Sequence, residues 1–412
     1  MKRVLFIVSA ILFSVVLVVL WAEGQRPEPV MLTPTVTGQP EYCLTCHADL
    51  AHISPSHPVE VVGCVRCHGG ERLALDADLA HSTLRGGRNP SDPAVVELSC
   101  GGSACHSGTA EADRDHIQRI TTNLHTTYAG AIAKVRYSIG AQPDPAAYFG
   151  LVSAADSHSL TTTHLTQLQV FDPAQETNAA LQTFAQNCLT CHLAAQPLTG
   201  ARYARLTGCA ACHTPTAGVD LSLPVHRLST AIAYNQCNTC HNRGTYNIHT
   251  LQFQPRTDQV SSRKLDYYLP GTPLATCEFR LDCVDCHTRQ EIMGDGHLHG
   301  TLQETRYVQC RTCHGTVTEP PLTYTIIQPD DLALRQAALN PAIRLQTGDT
   351  IIVTSQGEPL WNTRQQLDRT FDIIGKVTGQ HQRLPVVKGS GCQQKPAQQE
   401  ASDCHACHST QN

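Results

Sequence analysis

Pairs of cysteines followed by histidine recur along the chain at a fixed spacing. The pattern Cys-x-x-Cys-His occurs eight times and a longer Cys-x-x-x-x-Cys-His once, and together they take up 18 of the 20 cysteines. The motifs are Cys43-Cys46-His47, Cys64-Cys67-His68, Cys100-Cys105-His106, Cys188-Cys191-His192, Cys209-Cys212-His213, Cys237-Cys240-His241, Cys283-Cys286-His287, Cys310-Cys313-His314 and Cys404-Cys407-His408. Two thiols at this spacing attach haem through thioether bonds, and the adjoining histidine ligates the iron. The motifs therefore predict nine covalent haems c.

Paired cysteines also serve other chemistry. A structural zinc site needs four ligands, usually from two such pairs, but here almost every pair carries its own histidine. A thioredoxin-like motif would occur once or twice within a βαβ pattern, and a disulfide framework would not repeat the histidine nine times. In the long motif, a small disulfide between Cys100 and Cys105 is an alternative, although the Gly-Gly-Ser-Ala loop at 101–104 is flexible enough to favour haem.

Each iron needs a second axial ligand. Methionine is the usual alternative to histidine, but the chain contains only Met1, Met31 and Met293. Roughly two thirds of the histidines outside the proximal positions are therefore expected to be distal ligands. The distal candidates are His52, His57, His81, His116, His125, His158, His164, His226, His249, His297, His299 and His381. His405 lies inside a Cys-x-x-Cys loop, so it would ligate a neighbouring haem or stay solvated. Two histidine ligands block both faces of the iron, which favours electron transfer over substrate conversion.

The composition fits a chain that is built around cofactors. Hydrophobic residues make up 41% and aromatic residues 5%, so porphyrins would supply much of the apolar core. Glycine and proline are frequent, which indicates long loops. The expected fold is mostly loops and short α-helices wrapped around stacked haems, with a small β-rich insertion near 340–390. The net charge of -5 gives no indication of nucleic-acid binding.

The N-terminus predicts export. A basic start at Lys2 and Arg3 precedes an apolar run from Val4 to Trp21, which describes either a secretory signal or a short membrane anchor. Residues 1–22 are therefore a signal peptide or an anchor, and 23–40 a proline-containing tether. Either alternative places the remainder in the periplasm, at the cell surface or outside the cell, and an uncleaved segment would attach it to the membrane.

Motif spacing indicates internal repetition. The first cysteines of two motif pairs, at Cys43 and Cys64 and at Cys188 and Cys209, are both 21 residues apart. Duplication predicts a first trihaem unit at 41–110, a helical haem-free segment at 111–187, a second trihaem unit at 188–245, a dihaem unit at 246–318, and a β-rich insertion with the terminal haem at 319–412. The alternative is coincidence in a common paired spacing. His81 and His226 each follow the second proximal histidine by 13 residues, which predicts equivalent distal ligands.

Two segments lack haem motifs. In 113–136, apolar residues recur at three- and four-residue steps, which predicts an amphipathic helix with His116 and His125 beside its apolar face. Asp113 or Asp115 would lie near its start. In the second segment, 343–345 and 351–353 flank a Thr-Gly-Asp turn and predict a hairpin, with further strands at 371–377 and 384–387.

Two cysteines fall outside the motifs, Cys277 and Cys392. In an exported chain they are expected to pair as a disulfide. The alternative for Cys277 is a thiol at a haem edge, because it lies six residues before Cys283.

Over residues 43–408 the chain resembles multihaem c-type cytochromes. The long Cys100 motif resembles one used in tetrahaem cytochromes of the c3 type, although the other spacings depart from that family. Multihaem nitrite reductases typically carry a Cys-x-x-Cys-Lys motif for an open haem, and this sequence has none.

The resemblance implies an exported electron-transfer protein that carries electrons along a chain of bis-histidine haems. Its partners would be redox proteins or an extracellular electron acceptor. The first alternative is a self-associating subunit of an extracellular cytochrome filament. The second is a multihaem oxidoreductase with one open haem, acting on nitrite, hydroxylamine or a sulfur compound.

Overall fold

The computed structural model describes residues 2–24, 28–50, 53–155, 165, 167–189, 193–194, 206–215, 226–241, 246–247, 252–253, 274–399, 404 and 407–408. The helices are α1 (Lys2–Gly24), α2 (Val59–Val62), α3 (Val65–His68), α4 (Ala77–Ala80), α5 (Val96–Cys100), α6 (His116–Thr122), α7 (Leu124–Thr127), α8 (Ala129–Ser138), α9 (Ala179–Cys188), α10 (Ala210–His213), α11 (Tyr234–Asn238), α12 (Thr276–Arg280), α13 (Cys283–Cys286), α14 (Arg289–Met293), α15 (Leu302–Thr305), α16 (Cys310–His314) and α17 (Leu332–Ala337). The strands are β1 (Phe149–Gly150), β2 (Ala154–Ala155), β3 (Gln167–Val170), β4 (Tyr246–Asn247), β5 (Gln252–Phe253), β6 (Thr323–Thr325), β7 (Thr350–Val353), β8 (Pro359–Leu360), β9 (Thr363–Gln365), β10 (Phe371–Ile374) and β11 (His381–Leu384).

The apolar N-terminal run forms the helix α1. Its side chains are described from 6 to 21 and are exposed. Among the side chains that the structure describes, no helix combines the length and the apolar character needed to cross a membrane.

The chain divides into two compact units, residues 1–88 and 89–412. The first unit contains the motifs at Cys43 and Cys64, whereas the Cys100 motif of the predicted first triplet lies in the second unit. Polar contacts organise the first unit: the buried Glu41 carboxylate accepts hydrogen bonds from the backbone N–H of Cys64 (2.7 Å) and of Val65 (2.9 Å). Among its described residues, Pro34 and Glu41 are the buried ones, so no large apolar side chain is buried there.

The predicted helix at 113–136 forms as three shorter helices, α6 to α8. Asn123 interrupts it because its side chain accepts a hydrogen bond from the backbone N–H of His125 and caps α7. A second break falls at Tyr128, which has a left-handed backbone (φ 56°). Ile117 and Ile132 are buried, as the apolar periodicity predicts. The breaks turn one amphipathic helix into three differently directed segments.

The C-terminal β segment, residues 320–399, contains two three-stranded antiparallel sheets. One has the order β6-β7-β8 and the other β11-β10-β9. The predicted hairpin partner of β7 is wrong, since β7 pairs with β6 and β8 rather than with 343–345. The cause is long-range: Ile343 is buried against Ala337 and Ile374, and the Gly348 N–H donates to the Ile326 carbonyl.

Of the two remaining predicted strands, the one at 371–377 forms over its first four residues, and the one at 384–387 is wrong apart from Leu384, because β11 covers His381–Leu384. β10 stops at Ile374 because the Gly375 N–H donates to the Gln380 carbonyl and turns the chain. β11 ends at Leu384, one residue before Pro385, which has no N–H to continue a ladder.

This segment buries an apolar core to which the Cys283 and Cys310 motifs also contribute. Ile326, Ala333 and Ile351 form one buried cluster. A second cluster comprises Leu281, Cys313, Ile352, Leu360, Phe371, Ile373 and Leu384, with Cys277, Cys286 and Val308 packed against it. Cys286 of the Cys283 motif and Cys313 of the Cys310 motif therefore pack against the β segment.

Candidate haem-attachment sites

A single helical turn shapes the described five-residue motifs. The N–H of His47, His213 and His287 donates to the carbonyl of the first cysteine of each motif, at 3.1, 2.9 and 2.8 Å. In a helical turn, residues three and four apart lie on the same face. The two thiols and the imidazole are thereby directed to the same side of the backbone, as attachment of one porphyrin requires.

The long motif closes in the same way despite its two extra residues. The N–H of His106 donates to the carbonyl of Cys100 at 3.2 Å, and the N–H of Cys105 donates to the carbonyl of Gly102. Gly102 has φ +117°, a conformation that side chains rarely adopt. The conformation of Gly102 therefore lets the two extra residues bulge out, and the same hydrogen bond joins the ends of the motif as in the five-residue motifs.

Three proximal histidines each face a distal candidate. The ring centroids are 6.1 Å apart for His47 and His81. They are 5.2 Å apart for His106 and His116, and 5.6 Å apart for His125 and His241. Two imidazoles bound to one metal ion from opposite sides have centroids about 6 Å apart, because each metal–nitrogen bond is about 2.0 Å. The His47–His81 pair matches this distance, whereas the rings of the other two pairs are about 0.4 and 0.8 Å closer.

The second ring nitrogen of several histidines is held by an acceptor. Nδ1 of His213 lies 3.0 Å from the Ser229 carbonyl, and Nδ1 of His314 lies 2.7 Å from the Pro385 carbonyl. A carbonyl oxygen can only accept, so Nδ1 carries the proton and Nε2 keeps the lone pair that a metal binds. Nδ1 of the distal candidate His125 is 2.8 Å from Oδ1 of Asn123, which holds that ring in the same manner.

Burial keeps three of the paired imidazoles neutral, which is the ligating form. It lowers the pKa of His116 and His241 and lowers that of His125 to about 4, with the neighbouring His241 adding to the effect at His125. Burial likewise raises the pKa of Cys209 and Cys212 to about 11. A redox-active Cys-x-x-Cys pair needs a lowered thiol pKa, so these two cysteines do not fit a thioredoxin-like role.

Neighbouring motifs bring their thiols together. In the first unit, a hydrogen bond from the Cys64 thiol lowers the pKa of Cys43. In the second unit, the Cys237 thiol contacts that of Cys283, and the Cys310 thiol contacts that of Cys404. The attachment sites therefore lie side by side, although they are up to 94 residues apart in sequence.

The described cysteines form neither the expected disulfide nor a cluster with the ligands of a zinc site. No disulfide joins two described cysteines, Cys100 and Cys105 included. The expected Cys277–Cys392 disulfide is not formed, because Cys277 packs with Cys286 and Cys313 against the β segment core. Among the described residues, the group of side chains that could converge on a metal ion is Asp113, Asp115 and His116. It contains no cysteine, so the described thiols do not assemble a zinc site.

The other distal candidates have different surroundings. Nε2 of His299 lies 3.0 Å from both carboxylate oxygens of Asp295. His57 contacts the Ser54 hydroxyl at 2.9 Å, and Nδ1 of His381 is 3.8 Å from Asp372. His226 is half-buried, and the N–H of His297 donates to Asp295. Sequence positions that fall outside the described residues are His52, His158, His164, Cys191, His192, His249 and His405.

Sequence reasoning missed the groups that hold the rings. Ser229 and Pro385 act through backbone carbonyls, which leave no signal in a sequence. Glu291, by contrast, follows the proximal His287 by four residues, a spacing that places two side chains together on a helical turn. That signal was readable and marks a carboxylate beside a candidate iron ligand.

Searches against known proteins return no relative. No protein-family model, curated protein or solved structure matches this chain.

Proposed function

We propose that this chain is an exported nonahaem c-type cytochrome that transfers electrons. The observation that carries the proposal is the pairing of proximal His47, His106 and His241 with His81, His116 and His125. Each pair brings a distal candidate beside the histidine of an attachment motif, and the His47–His81 pair has the spacing that an intervening metal ion would set. The basic and then apolar start of the chain supports export.

Each group of residues has a role in this proposal. The motif cysteines would hold haem c covalently, and the proximal and distal histidines would ligate the iron from the two faces. Bound in this way, haem c supplies a reversible one-electron couple between Fe(III) and Fe(II). The carbonyls of Ser229 and Pro385 fix the orientation of His213 and His314. The contacts between thiols of different motifs support transfer between neighbouring centres, because haems attached there would be close to one another.

The first test is the intact mass of the purified holoprotein. Nine attached haems add about 616 Da each, and a chain without haem would overturn the proposal. Eight haems with an oxidised Cys100–Cys105 pair would remove only the long motif from the set.

The second test replaces the distal candidates. His81→Ala, His116→Ala and His125→Ala should each convert one iron in nine from low-spin to high-spin, with the haem count unchanged, because the thioether bonds remain. Electron paramagnetic resonance measures this change. His299→Gln is the matched control, since Asp295 engages Nε2 of that buried histidine and its removal should leave every iron low-spin. Wild-type spectra for all three alanine variants would contradict the ligand pairing. A high-spin iron in the wild-type protein that binds nitrite or cyanide would instead favour the oxidoreductase.

A further inference from the structure

Glu291 is a buried carboxylate directly against the proximal histidine of the Cys283 motif. Its Oε2 atom lies 3.0 Å from Nδ1 of His287 and accepts a hydrogen bond from the N–H of Thr288 at 3.2 Å. Its Oε1 atom accepts hydrogen bonds from the N–H of Tyr307 and of Val308, both at 2.8 Å. The carboxylate is thus held by four donors, and its side chain is 7% exposed.

The local sequence builds this arrangement. Thr288 caps the helix α14, and Glu291 occupies the third helical position, where its side chain reaches back to the N–H of Thr288. The cap fixes the carboxylate one turn beyond His287. The backbone of 307–308 covers the opposite oxygen, so Glu291 cannot turn away from the imidazole without losing these bonds.

Two other proximal histidines have neutral acceptors at the same ring atom. Nδ1 of His213 meets the Ser229 carbonyl, and Nδ1 of His314 meets the Pro385 carbonyl. The acceptor at His287 carries a full negative charge, as its four hydrogen-bond donors require. The Nδ1 atom of His287 therefore has a charged acceptor, whereas those of His213 and His314 have neutral ones.

An anionic acceptor changes the ligand and the iron behind it. It draws the Nδ1 proton, makes the imidazole a stronger electron donor and stabilises the more positive oxidation state. The carboxylate is buried whereas the His287 side chain is 58% exposed, so water screens the pair only from the imidazole side. A positive charge lies on the same motif, since Nζ of Lys376 donates to the Val284 carbonyl. The Asp285 carboxylate faces Lys376, however, and offsets that charge.

We propose that Glu291 is a positioning residue that lowers the reduction potential of the haem attached at Cys283 and Cys286, relative to the haems of His213 and His314. The inference rests on the proposed function, because it concerns a haem at that motif. Among the proposed haems of the second unit, the haem at Cys283 would then have a lower reduction potential than those of His213 and His314, so it would bind an electron less strongly.

The test is Glu291→Gln in the haem-loaded, full-length protein. Glutamine keeps the size and a hydrogen-bond acceptor but removes the charge. Potentiometric titration followed in the visible spectrum should show one transition moving to higher potential by about 59 mV, a tenfold shift in the one-electron equilibrium. Glu304→Gln is the control, because that carboxylate lies near His299 rather than near a proximal histidine. It should leave all nine transitions in place.

The outcomes separate this inference from the proposed function. Nine haems with potentials unchanged by Glu291→Gln would overturn the inference alone. A wild-type protein without haem would overturn the proposed function. If Glu291→Gln does not fold, Glu291→Asp keeps the charge but withdraws it from His287, and a smaller shift to higher potential is expected. Unchanged potentials in the folded aspartate variant would then overturn the inference.

Discussion

Residues 28–88 and the C-terminal β segment at 320–399 are of similar length but are held together in different ways. Among the described residues of the first, no large apolar side chain is buried, while the Glu41 carboxylate is 3% exposed. In the second, Ile326, Ile351 and Ile352 are completely buried. One region is organised by backbone and carboxylate hydrogen bonds, and the other by an apolar core between two sheets.

The difference shows what each region needs from outside its own sequence. A stretch of about 60 residues is marginal even with an apolar core, so the region 28–88 requires another source of apolar burial. In our proposal the two porphyrins at Cys43 and Cys64 supply it. The β segment supplies most of its core from its own residues, and Leu281 and Cys313 complete it. Cofactor-dependent and self-sufficient folding would thus coexist in one chain.

The largest expected effect comes from preventing haem attachment in the first unit. Replacing all four cysteines of its two motifs with alanine should remove two haems, about 1,230 Da, in addition to the mass of the four sulfur atoms. Amide protons in 28–88 should then exchange within seconds, because no core remains to protect them. Hydrogen-exchange mass spectrometry checks this, and β10 in the same molecule is the internal control. Wild-type protection in 28–88 would show that hydrogen bonds alone maintain this region.

The β segment should respond instead to loss of a core side chain. Phe371→Ala should lower its free energy of unfolding by about 3–5 kcal/mol, since it leaves a cavity between Leu360 and Leu384. Leu367→Ala is the matched control, because that side chain is fully exposed in a turn. Thermal unfolding followed by circular dichroism measures both. Equal effects of the two variants would contradict a self-sufficient core.

Local features were predictable from the sequence, and their partners were not. The Cys-His motifs close a hydrogen bond within five to seven residues, so their spacing already specifies their shape. The strand at Phe371 follows from β-branched and aromatic residues, but the partner of β7 depends on Thr323–Thr325, about 27 residues away. The break at Asn123 needed knowledge of how its side chain competes with the helix.

For the histidines, too, the residue type was predictable from the sequence but the partner of each residue was not. Counting residues predicts histidine as the distal ligand type, because methionine is too scarce. It does not connect His125 with His241, whose rings are brought together over more than 100 residues. The prediction that His226 is equivalent to His81 rests on spacing alone and stays a prediction. Glu291 lay within reach of sequence reasoning, because the i,i+4 spacing to His287 is local.

A smaller effect is expected from Glu41, the buried carboxylate of the first unit. Glu41→Gln leaves one oxygen to accept, so the N–H of Cys64 or of Val65 loses a charged partner at the start of α3. The expected loss is about 1.5–3 kcal/mol. Hydrogen exchange in 59–70 of the haem-loaded protein should accelerate while exchange in 320–399 stays constant. Unchanged exchange in both regions would show that Glu41 is dispensable.

The smallest effect should come from a polar contact of the β segment. Arg383 and Asp368 form an ion pair between exposed side chains, with N···O 2.5 Å and exposed fractions of 64% and 54%. Solvent screens such a pair, and ordering two long side chains offsets the attraction. Arg383→Gln should therefore leave the melting temperature unchanged within error. Glu41→Gln, by contrast, is expected to lower the stability of the first unit. The two variants each remove one charge, so the contrast measures how far each region depends on polar contacts. A loss at Arg383 as large as that at Glu41 would contradict the division between a polar and an apolar means of stabilisation.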